Sequence, residues 1–351
     1  MQGKVDRVLP GFAFCGTMSS LVRISDRLCL LAALVTVFFI VTGCQSGAVS
    51  ERPGTGVSVV ESNGVVRVAL NGQPFTEYRY TGVSRPFLYP ILGPDGEHFT
   101  RRWPQEEVGG EEKDHPHHRG MWWAHGDANG VDFWSEQKDA GKTVHESFAV
   151  LKSGRDVGVI SSRNRWVAPD GHVVASDLRT LRFHAPQGAD RIVDFEITVT
   201  ASHGALTLGD TKEGTMAIRL AESMRLTQPK GVAGNGHIVN SSGLRDGETW
   251  GKRAQWCDYY GPVGGKTVGV AIFDHPGNPR YPTWWHVRDY GLFAANPFGI
   301  HDFEKKEKGT GNLVIPAGGS VTFRYRFLFH PGDTAQAGVG NRFDAWLKES
   351  R

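Results

Sequence analysis

Residues 191–199 read Arg191-Ile192-Val193-Asp194-Phe195-Glu196-Ile197-Thr198-Val199, and from Val193 onward apolar and polar residues alternate one for one. Successive side chains of an extended chain point to opposite faces, so this alternation predicts a strand with one buried and one wet face. Upstream, Val65-Val66-Arg67-Val68-Ala69-Leu70 is rich in β-branched residues and ends at Asn71-Gly72. That dipeptide favours a two-residue hairpin, because both of its positions tolerate positive φ. Further strands are expected at 87–92, 146–151, 157–162, 164–167, 173–184, 192–201, 216–220, 268–273, 291–295 and 320–330. Pro169-Asp170-Gly171 and Pro186-Gln187-Gly188 have the chemistry of turns. Only 342–349 reads as a helix.

No break in composition divides 57–335, so a single domain is expected over 57–351. A long run of antiparallel strands must cover its apolar faces, and two large packed sheets do so where one open sheet does not. The expected class is therefore all-β, a large two-sheet antiparallel β-sandwich with a short C-terminal helix. Two segments, 94–135 and 275–308, read as long loops rich in reactive side chains, where function concentrates.

The chain carries 39 basic and 37 acidic residues, a formal net charge of +2. That balance offers no polycationic field, and a phosphate-driven nucleic-acid partner is not expected. The 14 His and 10 Trp stand out. Histidine serves proton transfer and metal binding, and tryptophan offers flat faces to ring-bearing ligands.

Residues 28–43 form an uncharged apolar stretch preceded by Arg23 and Arg27, and they lead into Val41-Thr42-Gly43-Cys44. The stretch suits a signal-peptide core and is short for a spanning helix. The tetrapeptide resembles a bacterial lipobox, with Cys44 as the lipidation site. The reading is a lipoprotein-type signal peptide over 1–43 (Met18 is an alternative start) and a polar tether over 44–56. The product is exported and lipid-anchored to the cell envelope, facing the periplasm or cell surface. Cleavage before Cys44 removes Cys15 and Cys29, and with Cys44 acylated only Cys257 remains, so no structural disulfide is available.

Two constellations carry the chemistry. The first is Asp114-His115-Pro116-His117-His118-Arg119-Gly120-Met121-Trp122-Trp123-Ala124-His125-Gly126-Asp127. Read as extended chain, it places His115 and His117 on one face and His118 on the other. The second, beginning Asp274-His275-Pro276 and running through Trp284-Trp285-His286-Val287-Arg288, repeats the Asp-His-Pro, Trp-Trp and His elements in order. This echo suggests two loops approaching one cleft. Gly209-Asp210-Thr211-Lys212-Glu213-Gly214 adds carboxylates and an amine at a turn, and Asn296 and His301 follow the second constellation.

The leading reading is a cleft that binds or processes carbohydrate by general acid/base chemistry. His118 or His125 would be one proton carrier and His275 or His286 the other. Arg119 and Arg288 would hold charged or polar substrate groups, and Asp127 and Glu213 would orient or donate protons. Trp122, Trp123, Trp284 and Trp285 would form ring platforms, with Asn296 in the binding pocket. If the protein is an enzyme, epimerisation, elimination or hydrolysis of a sugar is expected, with no cofactor favoured. The alternative is a metal-dependent oxidoreductase holding a divalent metal with His115, His117, His125 and Asp127. A third reading is a non-catalytic surface module binding a small molecule or glycan, with the membrane met through the lipid anchor alone.

The strings DHPHHRGMWWAHGDANGVDFW (114–134), GDTKEG (209–214), DHPGNPRYPTWWHVRDYGLFAANPFG (274–299) and FLFHPGD (327–333) closely resemble an uncharacterised bacterial family of planctomycete and Bacteroidetes type. That family carries the label "methane oxygenase PmoA". The label implies a polytopic membrane protein, whereas this sequence has one long apolar run, so we read it as a misnomer. A β-sandwich with His and Arg in its cleft also resembles the galactose-mutarotase-like folds of sugar epimerases and polysaccharide lyases, by analogy of fold alone.

Overall fold

A computed structural model of the chain describes residues 54–349. The signal segment, Cys44 and most of the expected tether lie outside the described residues. Two antiparallel eight-stranded sheets pack face to face. The first sheet runs, in spatial order, Val57–Ser62, Val65–Leu70, Gln73–Arg79, Phe87–Ile91, Met121–His125, Gly214–Arg219, Leu292–Asn296 and Trp284–Val287. The second runs His237–Asn240, Trp256–Val263, Lys266–Asp274, Ser320–Pro331, Arg191–Thr200, Val173–His184, Val157–Val167 and Lys142–Lys152. The all-β sandwich expected from alternation is the fold observed, with a C-terminal helix over Val339–Glu349. Among the described residues no helix is long and apolar enough to cross a membrane.

Alternation in the strand 191–200 does what its sequence implies. Val193, Phe195, Ile197 and Val199 enter the inter-sheet core, while the intervening residues stay half-exposed. The hairpin after Leu70 has Asn71 at φ 50° and Gly72 at φ 79°, the positive values that a type I′ turn needs. The expected strands 157–162 and 164–167 are one continuous strand, because Arg163 continues the pairing ladder rather than breaking it.

The segments 94–135 and 275–308 are not simply loops. Each contributes to the first sheet, through Met121–His125 and through Trp284–Val287 with Leu292–Asn296. Both Trp pairs therefore sit on strands, where neighbours face opposite ways. Met121 and Trp123 join the core between the sheets, and Trp122 and Ala124 join an apolar cluster on the outer face of the first sheet. Trp285 and Val287 likewise face the core. On the outer face Ala124, Ala217 and Ala294 keep the floor low, leaving room for other segments to fold over the sheet.

Candidate functional site

Three buried arginines shape the turn that carries the first histidine cluster. Arg101 donates to the carbonyls of Asp114 and His115 at 3.0 Å each and pairs with the Asp114 carboxylate. Arg219 donates to Asp114 Oδ1 at 3.0 Å and to His118 Nδ1 at 3.3 Å. Arg85 holds the carbonyls of His117 and Phe133 and lies over the Trp122 ring. His115 and Pro116 of this turn are exposed, but the carbonyls of Asp114, His115 and His117 accept from buried guanidinium groups, which there take the place of solvent. Gly120 follows at φ 56°, where a Cβ would lie 2.0 Å from the Leu88 carbonyl oxygen. The chain thus enters the sheet only with glycine at this position.

The turn corrects the expected pairing of faces. His115 sits at φ 45°, and its ring stacks on His118 at 4.7 Å and on Tyr290 at 5.1 Å. His117 meets both histidines edge-on. Beneath them His118 stacks on Trp122 at 5.4 Å. Trp122 is therefore the floor under a histidine, not an open platform.

A cleft of about 540 Å³ opens over this stack. It is lined by His115, His117 and His118 from the first constellation, by Lys212 and Glu213, and by His286, Arg288 and Tyr290 from the second. Asp132, Trp134 and Ser135 complete it. The two constellations thus meet, although only the latter half of the second takes part.

The histidines differ in what they can do. Asp114 Oδ2 lies 2.9 Å from His115 Nδ1. Burial alone would raise the Asp114 carboxyl, but the bond to His115 and the charges of Arg219 and Arg101 outweigh it and hold the group well below the usual carboxylate range. Asp114 is thus a permanent anion that accepts a hydrogen bond from Nδ1–H of His115, leaving Nε2 as the acceptor nitrogen.

His118 is nearly inaccessible, and burial together with His117 and Arg219 lowers it well below the usual imidazole range. Its Nδ1 accepts from an arginine, so the neutral ring carries its proton on Nε2. His286 follows the same logic. Its Nδ1 accepts from the Trp250 indole at 3.0 Å, and burial with Arg288 and Lys212 lowers it to about 3. His117 falls to about 4 through burial and Arg85. His118 and His286 are thus fixed neutral donors, not the proton carriers expected from sequence.

Other expected site residues are placed elsewhere. His125 points into the sandwich, fully buried against Phe298, with Nε2 donating to the Gly209 carbonyl at 3.0 Å. Burial lowers it to about 4. His275 lies against Trp346 with Arg182, Glu196 and Arg324, in a separate depression on the second sheet. Proline and a turn carry the chain away from it before the strand of His286 begins. Arg119 is paired with Glu136 through Nε and Nη2, at 2.9 Å and 2.7 Å. Asp127 closes its own turn through the Gly130 amide. Trp123 packs on Trp166 in the core, and Trp285 donates to the Ala254 carbonyl there. Trp284 donates to Glu304 and lies under Arg253 beside a neighbouring depression.

Asn296 is wholly structural. It donates to the carbonyls of Thr211 and Lys212 and accepts from Phe298 N, fixing the 211–213 turn that presents Lys212 and Glu213. Asp210, in the same turn, is buried and accepts from the amides of His301 and Gly311. The set His115, His117, His125 and Asp127 is not assembled, because His125 faces the core and Asp127 its own turn. Among the described residues no three His, Cys, Asp or Glu side chains are grouped as a metal ion needs.

Sequence reading placed Asp114 and Lys212 in its constellations without giving either a role, and it missed Arg219, Tyr290 and Asp132. An arginine closing the otherwise apolar strand Gly-Thr-Met-Ala-Ile-Arg was the available signal for Arg219, since a buried guanidinium needs a carboxylate nearby.

Residues 65–344 match the model of a family described as "Family of unknown function (DUF6807)". No curated protein matches the sequence. Among solved structures the chain is similar to the GalM/aldose epimerase homologue from C. elegans, at 8% identity and TM-score 0.31, covering 79% of this chain and 100% of that one. It is similar to a polysaccharide lyase at 12% identity and TM-score 0.30, over 78% of this chain and 34% of the lyase. It is also similar to the 4-alpha-glucanotransferase of Thermococcus litoralis at 10% identity and TM-score 0.24, over 78% of this chain and 38% of that one.

Proposed function

Because this chain belongs to DUF6807, a family of unknown function, we propose from the cleft itself that it binds or processes carbohydrate. The observation that carries this reading is the His115–Asp114 pair in one cleft with the Glu213 carboxylate, the partly exposed Tyr290 ring and two neutral imidazole donors. Sugar recognition calls for flat apolar faces together with convergent donors and acceptors for hydroxyl groups. His118 Nε2 and His286 Nε2 supply donors with fixed tautomers, and Glu213 supplies an acceptor.

Should the site turn a sugar over, the proton carriers are His115 and Glu213. His115 Nε2 takes a proton as Asp114 stabilises the resulting imidazolium, and the half-exposed Glu213 serves from the same cleft. Calorimetry with a panel of oligosaccharides tests the reading. Micromolar to millimolar binding by wild type, with loss in His115→Ala and Glu213→Gln, is expected. Failure to bind any member of the panel overturns it.

We further propose that the protein is exported and anchored through Cys44, on the strength of the apolar stretch 28–43 and Val41-Thr42-Gly43-Cys44. Radiolabelled palmitate should mark wild type, and equal labelling of Cys44→Ser would rule the anchor out.

A further inference from the structure

Arg288 differs from the other arginines around the cleft. Arg101 and Arg219 are tied to Asp114, and Arg119 is tied to Glu136. Arg288 lines the cleft, and among the described residues no carboxylate lies within ion-pair distance of its guanidinium. It rests instead between two rings, 5.8 Å from the centre of Trp250 and 5.5 Å from that of Tyr290. The strand end is pinned by Arg288 N donating to Leu292 O at 2.7 Å and Gly291 N donating to Arg288 O at 3.1 Å. The guanidinium is thus held by aromatic faces and a tight turn, with its donor edge uncommitted.

Lys212 is the second cation of the cleft lining, and like Arg288 it acts on the His286 ring. Its ammonium is 3.5 Å from Glu213 and 3.9 Å from Asp302, contacts too long to saturate its three donors. Between these cations stands His286, whose Nδ1 is spent on Trp250. Both positive charges are felt by that imidazole. The anions of the cleft do not cancel them. Asp132 is consumed by the amides of Trp134 and Ser135 and by the Ser135 hydroxyl, and Asp114 is consumed by two arginines and His115. Of the carboxylates lining the cleft Glu213 alone is left, and both it and Asp302 are set against Lys212 rather than Arg288.

We propose that this part of the lining is a carboxylate subsite, and that the carbohydrate taken by the cleft is an acidic sugar of the uronic acid class. A planar guanidinium held edge-outward matches a carboxylate through two parallel bonds, and a neighbouring ammonium adds a third. The neutral Nε2–H of His286 offers a further donor without bringing a third full charge. A neutral sugar would leave an uncompensated cation beside the rings in a partly dry cleft, and specificity between acidic and neutral sugars follows from that difference. The inference rests on the carbohydrate reading above and narrows it.

The test uses full-length protein and calorimetry with three probes at low and moderate salt. These are galacturonic and glucuronic acid di- to tetrasaccharides, the same oligosaccharides with the carboxyl reduced to the alcohol, and sulfated oligosaccharides of equal length. Wild type is expected to prefer the uronates over their reduced counterparts by about 10- to 100-fold, the range of a charge-assisted bond. Arg288→Gln should erase that preference, and Arg288→Lys should keep part of it. The wild-type comparison needs no variant, so a misfolded Arg288→Gln protein leaves the proposal testable. Equal binding of uronates and reduced sugars overturns the subsite while leaving the carbohydrate reading intact. Tighter binding of the sulfated sugars overturns the assignment to carboxylate. No binding of any probe overturns both.

Discussion

Asp114 joins two layers of the molecule, with Oδ2 at 2.9 Å from His115 Nδ1 and Oδ1 shared between Arg219, at 3.0 Å, and Arg101. One carboxylate thus orients a cleft histidine and pairs with two fully buried guanidinium groups, whose second counter-charge is Glu222. Burial lowers Arg101 to about 10, still a cation at neutral pH.

Replacing Asp114 by Asn should therefore act on stability as well as on the cleft. Two buried guanidinium groups would keep only Glu222, which lies 3.9 Å and 3.7 Å away. Breaking a buried pair by removing one partner costs about 3–5 kcal/mol. The Asp114 carboxyl is depressed in the folded protein, so its contribution is present above the ordinary carboxyl pKa and fades as pH falls below it. Urea midpoints of wild type and Asp114→Asn should differ widely at pH 7, and the gap should start to narrow only below about pH 4, the ordinary carboxyl range. Equal midpoints at pH 7 would refute the role.

On the second sheet, His330 Nε2 lies 3.0 Å from Asp258 Oδ1, and Thr334 donates to Oδ2 at 2.6 Å. Gly269 makes room for this pair, since a Cβ there would come within 2.3 Å of the His330 ring. Burial would lower His330, but the charge and hydrogen bond of Asp258 outweigh it and raise the group. A raised imidazole contributes stability that is complete below the unfolded value, about 6.5, and is lost as pH climbs through the folded one. The gap in Tm between wild type and His330→Gln should narrow as pH rises from 6 to 9. Gly269→Ala should reproduce the His330→Gln profile by displacing the ring.

The Trp pairs separate core from cleft. Trp123→Ala should cost about 3–5 kcal/mol, the range for emptying a large aromatic site in a core, because Trp123 packs on Trp166 and Phe323 between the sheets. Trp122→Phe keeps most of the buried volume but weakens the support of His118 and Arg85. It should leave the melting curve close to wild type while loosening ligand binding. A ligand-binding defect confined to Trp123→Ala protein that is fully folded would reverse this assignment.

These placements explain how much was legible beforehand. The sandwich was readable because alternation and turn chemistry are local, as at 191–200 and at Asn71-Gly72. The meeting of the His115–His118 turn with His286 and Arg288 was readable from the echo of Asp-His-Pro and Trp-Trp. What the echo could not convey was strand phase. One residue decides whether a side chain enters the core or the cleft, and it sends Trp123, His125 and Trp285 inward but Trp122 and His286 outward. Nor does a string of histidines reveal its charge, which depends on Arg85, Arg101 and Arg219 arriving from distant segments.

The last prediction concerns His286. An indole N–H only donates, so the bond from Trp250 leaves Nδ1 bare and puts the proton on Nε2. With its value lowered to about 3 by burial, Arg288 and Lys212, the ring stays neutral through the physiological range. Long-range proton–nitrogen NMR should show one Nε2–H tautomer, unchanged from pH 5 to 8. Trp250→Phe should release the tautomer while leaving the ring neutral, because burial and the two cations persist. Arg288→Gln removes the stronger of the two cationic influences and should move the titration upward. His117 and His125, lowered to about 4, and His118 share the direction of His286. On acidification the unfolded chain therefore binds protons first, from about pH 6.5 downward, and the fold loses stability across that window. This slope is opposite in sign to that of His330, so the two are separable in one set of melts. His286→Gln should flatten the acid limb and leave the alkaline limb untouched. A cationic His286 at pH 6, seen as two protonated ring nitrogens, would contradict both the tautomer and the acid limb.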